Sequence, residues 1–310
     1  MPLASVDTHE LDALLVKTSR TFALSIPLLP EPARTEVGIA YLLFRIADTF
    51  EDAVAWPPER RVRALEELAA LLARDDGDDD PTPGWLEPPS PIAHDGYQEL
   101  LAAAPRVLAA YRAIGAHARH AIGRHLRRSA LGMAAFVRRG DAAGRLQLDT
   151  FGDLHDYCYT VAGIVGEMLT DIFLLEVPAL APVANALGTR AADFGEALQL
   201  VNILKDAGAD ATEGRTFLPP DVERSTVFTV ARNDLRRAGE YIAALQEANA
   251  PRGLVAFCAL PVLLAAQSLD RIERAGTGAR ITRGEVMATV AALDAALDRG
   301  EPIAPMLAFS

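Results

Sequence analysis

Cysteine is scarce in this 310-residue chain, with only Cys158 and Cys258 present. Their wide spacing fits neither a zinc site nor a disulfide framework. Each lies in an apolar helical pattern, so reduced core thiols of a cytoplasmic protein are expected. Aromatics make up 6% of the residues, and no long β-branched alternation suggests a strand-based fold. Basic residues are outnumbered, 30 against 42 acids, for a net charge of -12. That balance argues against nucleic acid as the main partner, because phosphate binding needs a basic face. Anionic substrates stay open, since a bound cation reverses the sign of a local site. Residues Met1 to Glu10 carry acids and no apolar run, so no signal peptide is expected. The most apolar stretch, Leu254 to Ala266, contains Pro261 and reads as too short to span a membrane. There is no G-x-G-x-x-G loop, no inward Glu-x-x-His pair, and no metal-ligand spacing among the six histidines.

What is present is helical periodicity over nearly the whole chain, rich in Ala and Leu. Pro27, Pro30 and Pro32 break a first helix from one containing Tyr41 to Val54, which ends at Trp56-Pro57-Pro58. A short helix over Glu59 to Arg74 leads into the acidic run Asp75 to Asp80. Residues 75–91 read as an acidic, proline-rich surface loop. Further helices are expected over Tyr97 to Arg139, Leu148 to Leu175, Arg190 to Asp210, Val227 to Ala248, Gly253 to Arg274 and Thr282 to Arg299. No repeat or linker is visible, so the expectation is one all-α domain, 1–310, wrapped around a central cavity. Arg119, His120, Arg124, His125, Arg127 and Arg128 form a basic cluster. It reads either as a solvated face or as a patch for peripheral contact with the inner membrane face.

Two acidic stripes carry the chemistry. In Tyr41-Leu-Leu-Phe-Arg45-Ile-Ala-Asp48-Thr-Phe-Glu51-Asp52, Arg45, Asp48 and Asp52 fall within about 60° on a helix, with Glu51 beside them. The neighbours are apolar, and converging carboxylates repel unless a cation intervenes. In Gln199-Leu-Val-Asn202-Ile-Leu-Lys205-Asp206-Ala-Gly-Ala-Asp210, Gln199, Asn202, Asp206 and Asp210 form a second narrow stripe through a core-like helix. Oxygen donors favour magnesium over zinc. Acidic helices holding magnesium would suit a diphosphate leaving group.

The chain resembles the squalene and phytoene synthase family, most closely squalene synthase. The resemblance rests on Thr18-Ser19-Arg20-Thr21-Phe22, on Asp48 to Asp52, and on the tyrosine helix Asp156 to Gly166. Asn202 to Asp206, Asp210 and Arg215-Thr-Phe217-Leu218-Pro219 complete it. It implies a single-domain, all-α isoprenoid synthase (class I terpene synthase) bundle, a Mg-dependent prenyltransferase that is expected to be a cytoplasmic monomer. The implied reaction joins two farnesyl diphosphates head to head through presqualene diphosphate, followed by reduction with NADPH to squalene.

On that likeness Asp48, Glu51, Asp52, Asn202, Asp206 and Asp210 hold magnesium. Ser19, Arg20, Arg45, Lys205 and Arg215 contact diphosphate, and Tyr157 takes a proton or stabilises a cation. Phe22, Tyr41, Phe50, Val161, Gly163, Gln199, Asn202 and Phe257 line the pocket. Arg280 and Arg283 lie near the reductant, and NADPH rests on the resemblance alone. Lys205 stands where arginine is common, and Val262 and Thr282 also depart from the family pattern. Presqualene diphosphate, hydroxysqualene, dehydrosqualene or phytoene as product stays open. So does a non-catalytic assembly factor of the same fold, although such a protein would be expected to have eroded these acids. Gly163 and Gly166 would admit either a substrate chain or a neighbouring helix.

Overall fold

The computed structural model describes residues 8–74, 83–87, 93–141, 145–212 and 214–307. Among the described residues thirteen α-helices form and no strand does. In chain order they are α1 (Thr8–Thr18), α2 (Phe22–Ser25), α3 (Ala33–Glu51), α4 (Pro58–Leu71), α5 (Asp95–Ala113), α6 (Ala116–Arg139), α7 (Phe151–Cys158), α8 (Ile164–Glu176), α9 (Ala184–Gly188), α10 (Ala191–Thr212), α11 (Arg224–Glu247), α12 (Arg252–Ala275) and α13 (Arg283–Asp298). A π-helical turn, Tyr159–Gly163, joins α7 to α8. The contacts divide the chain into two compact units, one of residues 1–27 and 31–144 and the other of residues 28–30 and 145–310.

In the first unit α3 is the helix the others cover. It starts after Pro32 and buries Val37, Ile39, Leu42, Leu43, Ile46 and Phe50 among its neighbours. Each such side chain contributes about 1.5–3 kcal/mol on leaving water. α1, α4, α5 and α6 pack against α3, and α4 lies along α6. The periodicity read as one helix from Tyr97 to Arg139 is two, because the chain turns at Ile114-Gly115 between α5 and α6. The acidic run 75–80 lies outside the described residues. Within the same expected surface loop, Trp85 is buried and its ring sits 5.0 Å from that of Phe50. The indole thus ties this part of the segment to the core.

In the second unit α10 is central, touching α7, the π turn, α8, α11 and α12. α7 begins at a capping box, Thr150 with Asp153, three residues later than the apolar pattern alone suggests. By length and composition 151–176 and 252–275 are each able to cross a membrane. The second is longer than the run Leu254 to Ala266 implied, and 78% of its apolar window is buried inside the protein. It is a core helix here.

α13 opens with a second capping box. The Thr282 Oγ1 accepts the Glu285 N–H at 3.2 Å, and the Thr282 N–H donates to Glu285 Oε2 at 2.7 Å. Thr282, unusual against the family pattern, is therefore a helix cap. Thr282→Ala should cost about 1 kcal/mol, seen as a fall in Tm of about 2–4 °C.

Candidate active site

The first acidic stripe is built on the last turns of α3. Arg45 Nη1 lies 3.3 Å from Asp48 Oδ2, and its Nη2 donates to the Tyr41 hydroxyl at 3.3 Å. The guanidinium also sits over two rings, 5.6 Å from the centroid of Tyr41 and 5.7 Å from that of Tyr97. Two ring faces and a carboxylate hold a cation that burial would otherwise disfavour. Desolvation alone lowers the Arg45 pKa, but Asp48, Tyr41 and Tyr97 outweigh it and raise it. The Asp48 carboxyl is pushed up to about 6, chiefly by burial, with the charge of Asp52 adding to the rise and Arg45 opposing it. Asp48 nevertheless keeps 31% of its side-chain surface, so it is crowded and reachable.

Burial separates the other acids. Asp52, the C-cap of α3, is half-buried, whereas Glu51 is buried and its carbonyl accepts from Arg61. The Tyr41 hydroxyl donates to the Thr18 carbonyl at 2.9 Å, which ties the stripe to the Ser19-Arg20 segment. Ser19 Oγ accepts the Phe22 N–H at 2.9 Å, and Arg20 is exposed. Phe22 stacks obliquely on Tyr41 with centroids 5.5 Å apart. Phe50 has no exposed surface and packs between Trp56 and Trp85. Its ring is buried among these indoles.

The second stripe lies on α10, opposite the buried row Leu200, Val201, Ile203 and Leu204. Asn202 is exposed, while Gln199, Lys205, Asp206 and Asp210 are half-buried. Lys205 Nζ donates to Asn202 Oδ1 at 2.7 Å and lies 3.4 Å from Asp206 Oδ2. Arg280 reaches the other oxygen of Asp206, also at 3.4 Å, and the Gly278 N–H donates to the Lys205 carbonyl. Arg280, expected near the reductant, thus stands on the acidic stripe. Arg283 is exposed in the first turn of α13. Arg215 Nη2 donates to Asp210 Oδ1 at 3.1 Å, and its N–H to the Asp210 carbonyl at 2.9 Å. Gly214 allows this return with a φ of 79°.

An isolated bridge, Gln147 with Thr216, then carries Phe217 onto Tyr157. The two rings stack with centroids 4.8 Å apart, and Tyr157 is buried. Val161 is half-buried in the π turn, and Gly163 is buried. Phe257 is buried edge-on to Phe173.

The glycines of the tyrosine helix serve a neighbouring helix. A Cβ on Gly166 would lie 1.8 Å from the Ala191 carbonyl oxygen, and one on Gly195 1.9 Å from that of Ala162. At Gly163 a Cβ would stand 3.0 Å from Glu196 Oε1. The Glu196 carboxyl is pushed up to about 7 by burial and then by Asp193, Glu167 and Asp156. Asp234 on α11 rises to about 7 for the same reason, with Asp193 and Glu196 as its acidic neighbours and Arg237 and His155 opposing. These two acids, Tyr97 and the stacking role of Phe217 escape the sequence reading. Most of their partners lie on distant segments.

The donors fit magnesium by chemistry, being all oxygen. Among the described residues no three His, Cys, Asp or Glu side chains already converge on one point. Diphosphate and water oxygens would complete the shell, as magnesium commonly requires.

Solved structures share this arrangement of helices. TcSQS in complex with E5700 superposes with a TM-score of 0.76 over 96% of each chain at 24% identity. A dehydrosqualene synthase complex gives 0.62 over 94% of this chain and 96% of that one, at 17% identity. The fold is the all-α isoprenoid synthase fold. A model of the squalene/phytoene synthase family matches residues 15–227, and the chain belongs to that family. Among curated relatives, the squalene synthase of Schizosaccharomyces pombe is 30% identical over 67% of this chain and 43% of its own length. That of Mycosarcoma maydis is 27% identical over 82% of this chain and 48% of its own. The chain spans about half the length of these relatives. Inactive squalene synthase 2 of Arabidopsis thaliana also matches, 30% identical over 68% of this chain and 47% of its own length. Family membership alone therefore does not supply an activity, and the site residues must.

Proposed function

We propose that this chain is a magnesium-dependent prenyltransferase, a cytoplasmic monomer that couples two farnesyl diphosphates head to head. The coupling proceeds through presqualene diphosphate, which is then reduced with NADPH to squalene. The charge pattern of α10 is the observation that carries this reading. Asp206 has Lys205 and Arg280 each at 3.4 Å, and Asp210 has Arg215 at 3.1 Å. Acids on α10 met by Lys205 on the same helix and by Arg215 and Arg280 from other segments suit a metal-neutralised anion, because each cation can turn from its carboxylate to a diphosphate oxygen. Asp48 and Asp52 beside Arg45 repeat the pattern on α3, so each stripe would hold the diphosphate of one substrate. Magnesium, when bound, neutralises the leaving group and eases ionisation of the carbon–oxygen bond. Ser19 and Arg20 would add contacts to the first diphosphate. Tyr157, held in place by Phe217, is the group for steadying the resulting cation or receiving its proton.

Product analysis with and without NADPH tests the reading. Farnesyl diphosphate and magnesium should give squalene when NADPH is present. Without it the reaction should stall at presqualene diphosphate or divert to hydroxysqualene or dehydrosqualene. Arg283→Gln should lower squalene more than presqualene diphosphate. Arg280→Gln should cost the first step as well, about tenfold, because it removes a charged contact at Asp206. A product unchanged by NADPH would overturn the reductive half.

A further inference from the structure

Among the described residues three side chains approach the Arg45 guanidinium, and they differ in how a bound cation would treat them. Asp48 Oδ2, at 3.3 Å, is an oxygen that magnesium would also seek. The rings of Tyr41 and Tyr97, with centroids 5.6 and 5.7 Å from Arg45 Cζ, hold it through the negative charge of their faces. A hard, hydrated ion does not compete for a ring face as it does for a carboxylate. Tyr41 stands one turn earlier on α3, the helix that carries Arg45. Tyr97 is brought from α5, so it alone of the three fixes the guanidinium against a second helix. The Tyr97 ring is itself braced. His94, three residues earlier, lies against it with ring centroids 4.4 Å apart. Gly96 seats the first turn of α5 on the end of α1, where a Cβ would come within 2.8 Å of the Lys17 carbonyl oxygen. Glu99 accepts from Lys17 Nζ at 2.6 and 2.7 Å. The same stretch of α5 therefore holds Tyr97 over Arg45 and anchors α1 just ahead of Ser19 and Arg20.

We infer that Tyr97 is a positioning residue of the first diphosphate site, whose ring keeps the Arg45 guanidinium in place when Asp48 turns to a cation. This role rests on the proposed reading of Arg45 as a diphosphate contact. A guanidinium lying over ring faces keeps its N–H edge for oxygen acceptors, so the contact that orients it does not use up the donors that bind. Without the rings, Arg45 would regain rotamer freedom once its carboxylate partner was taken, and a diphosphate would have to freeze that freedom out again. Tyr97 is half-buried, with Arg45 and His94 as its ring partners. Its ring can thus be removed while the apolar row of α3 stays in place.

The test compares Tyr97→Leu and Tyr97→Phe in the full chain, alone and combined with Arg45→Gln. Turnover of farnesyl diphosphate is one readout. The other is calorimetric binding of inorganic diphosphate with magnesium, with the second stripe silenced by Asp206→Asn for that measurement. Tyr97→Leu should weaken diphosphate binding and lower kcat/KM, each about fivefold, the worth of a partly desolvated cation–ring contact. Tyr97→Phe keeps the ring face and should recover most of both losses. Without ligand or metal, the Arg45 side-chain NMR signals, held upfield by the rings, should move downfield in Tyr97→Leu and stay in Tyr97→Phe. Arg45→Gln by itself should bind about tenfold more weakly. Adding Tyr97→Leu to it should cost nothing further, whereas a ring that only supports the fold would cost the same in both backgrounds. Equal losses in both backgrounds would overturn the inference, as would a phenylalanine variant as weak as the leucine variant. So would Arg45 signals that Tyr97→Leu leaves unmoved. Full binding by Tyr97→Leu beside weak binding by Arg45→Gln would overturn this role alone. Undiminished binding and turnover by Arg45→Gln would overturn it together with the diphosphate reading.

Discussion

Asp48→Ala and Asp206→Ala are each expected to cut coupling of farnesyl diphosphate by about 100-fold or more, read as diphosphate release. Removing one preorganised electrostatic group from a site of charge separation typically costs that much. Excess chelator should do the same to the unaltered chain. Full turnover in either case would sink the proposed mechanism.

Stability should move the other way at Asp48. Its folded pKa of about 6 stands above the ordinary value of 3.8, so the fold binds a proton more tightly than the unfolded chain does. Stability is therefore lost as pH rises between about 4 and 6. Asp48→Asn escapes that loss. The gain is discounted to about 1 kcal/mol or less, because the carboxyl is part-exposed and Arg45 loses its partner. The Tm of the asparagine variant should match or exceed that of the parent at pH 7. The advantage should vanish below about pH 4.

Gly195→Ala and Gly166→Ala should be the most damaging single-methyl changes in the second unit. Each added Cβ would meet a backbone carbonyl oxygen, at 1.9 and 1.8 Å respectively. Neither carbonyl can yield without moving its helix. The cost should be about 3 kcal/mol or more, a fall in Tm of about 6–12 °C for a chain of this size. Because these contacts set α10 against the tyrosine helix, the substitutions should also lower turnover in the fraction that stays folded. Gly188→Ala is the control. Nothing lies within 4 Å of its Cβ position, so it should be neutral or slightly stabilising. Equal melting temperatures for Gly188→Ala and Gly195→Ala would refute the close-packing account.

Each acidic stripe was legible because it is local. Arg45, Asp48 and Asp52 share a face of α3, and Asn202, Asp206 and Asp210 share a face of α10, whatever those helices pack against. The same local angle, however, put Glu51 beside its neighbours, while in the fold it is buried. The π turn at Tyr159–Gly163 carries no marker of its own, since its residues suit an α-helix equally well. The break at Ile114-Gly115 was hidden by apolar positions that stay in register on both sides.

What the sequence by itself determined is the helical class, the two stripes and the small residues of the tyrosine helix. All of these follow from side-chain type and the 3.6-residue period. Tertiary structure alone decided which distant groups meet them. It placed Tyr97 over Arg45, Arg280 at Asp206, Phe217 on Tyr157, and α10 against Gly166. It also took Phe50, Trp85 and His125 out of solvent. The reason is that periodicity gives the direction of a side chain about its own helix axis. Which surface that direction meets depends on how segments far apart in the chain fill space together.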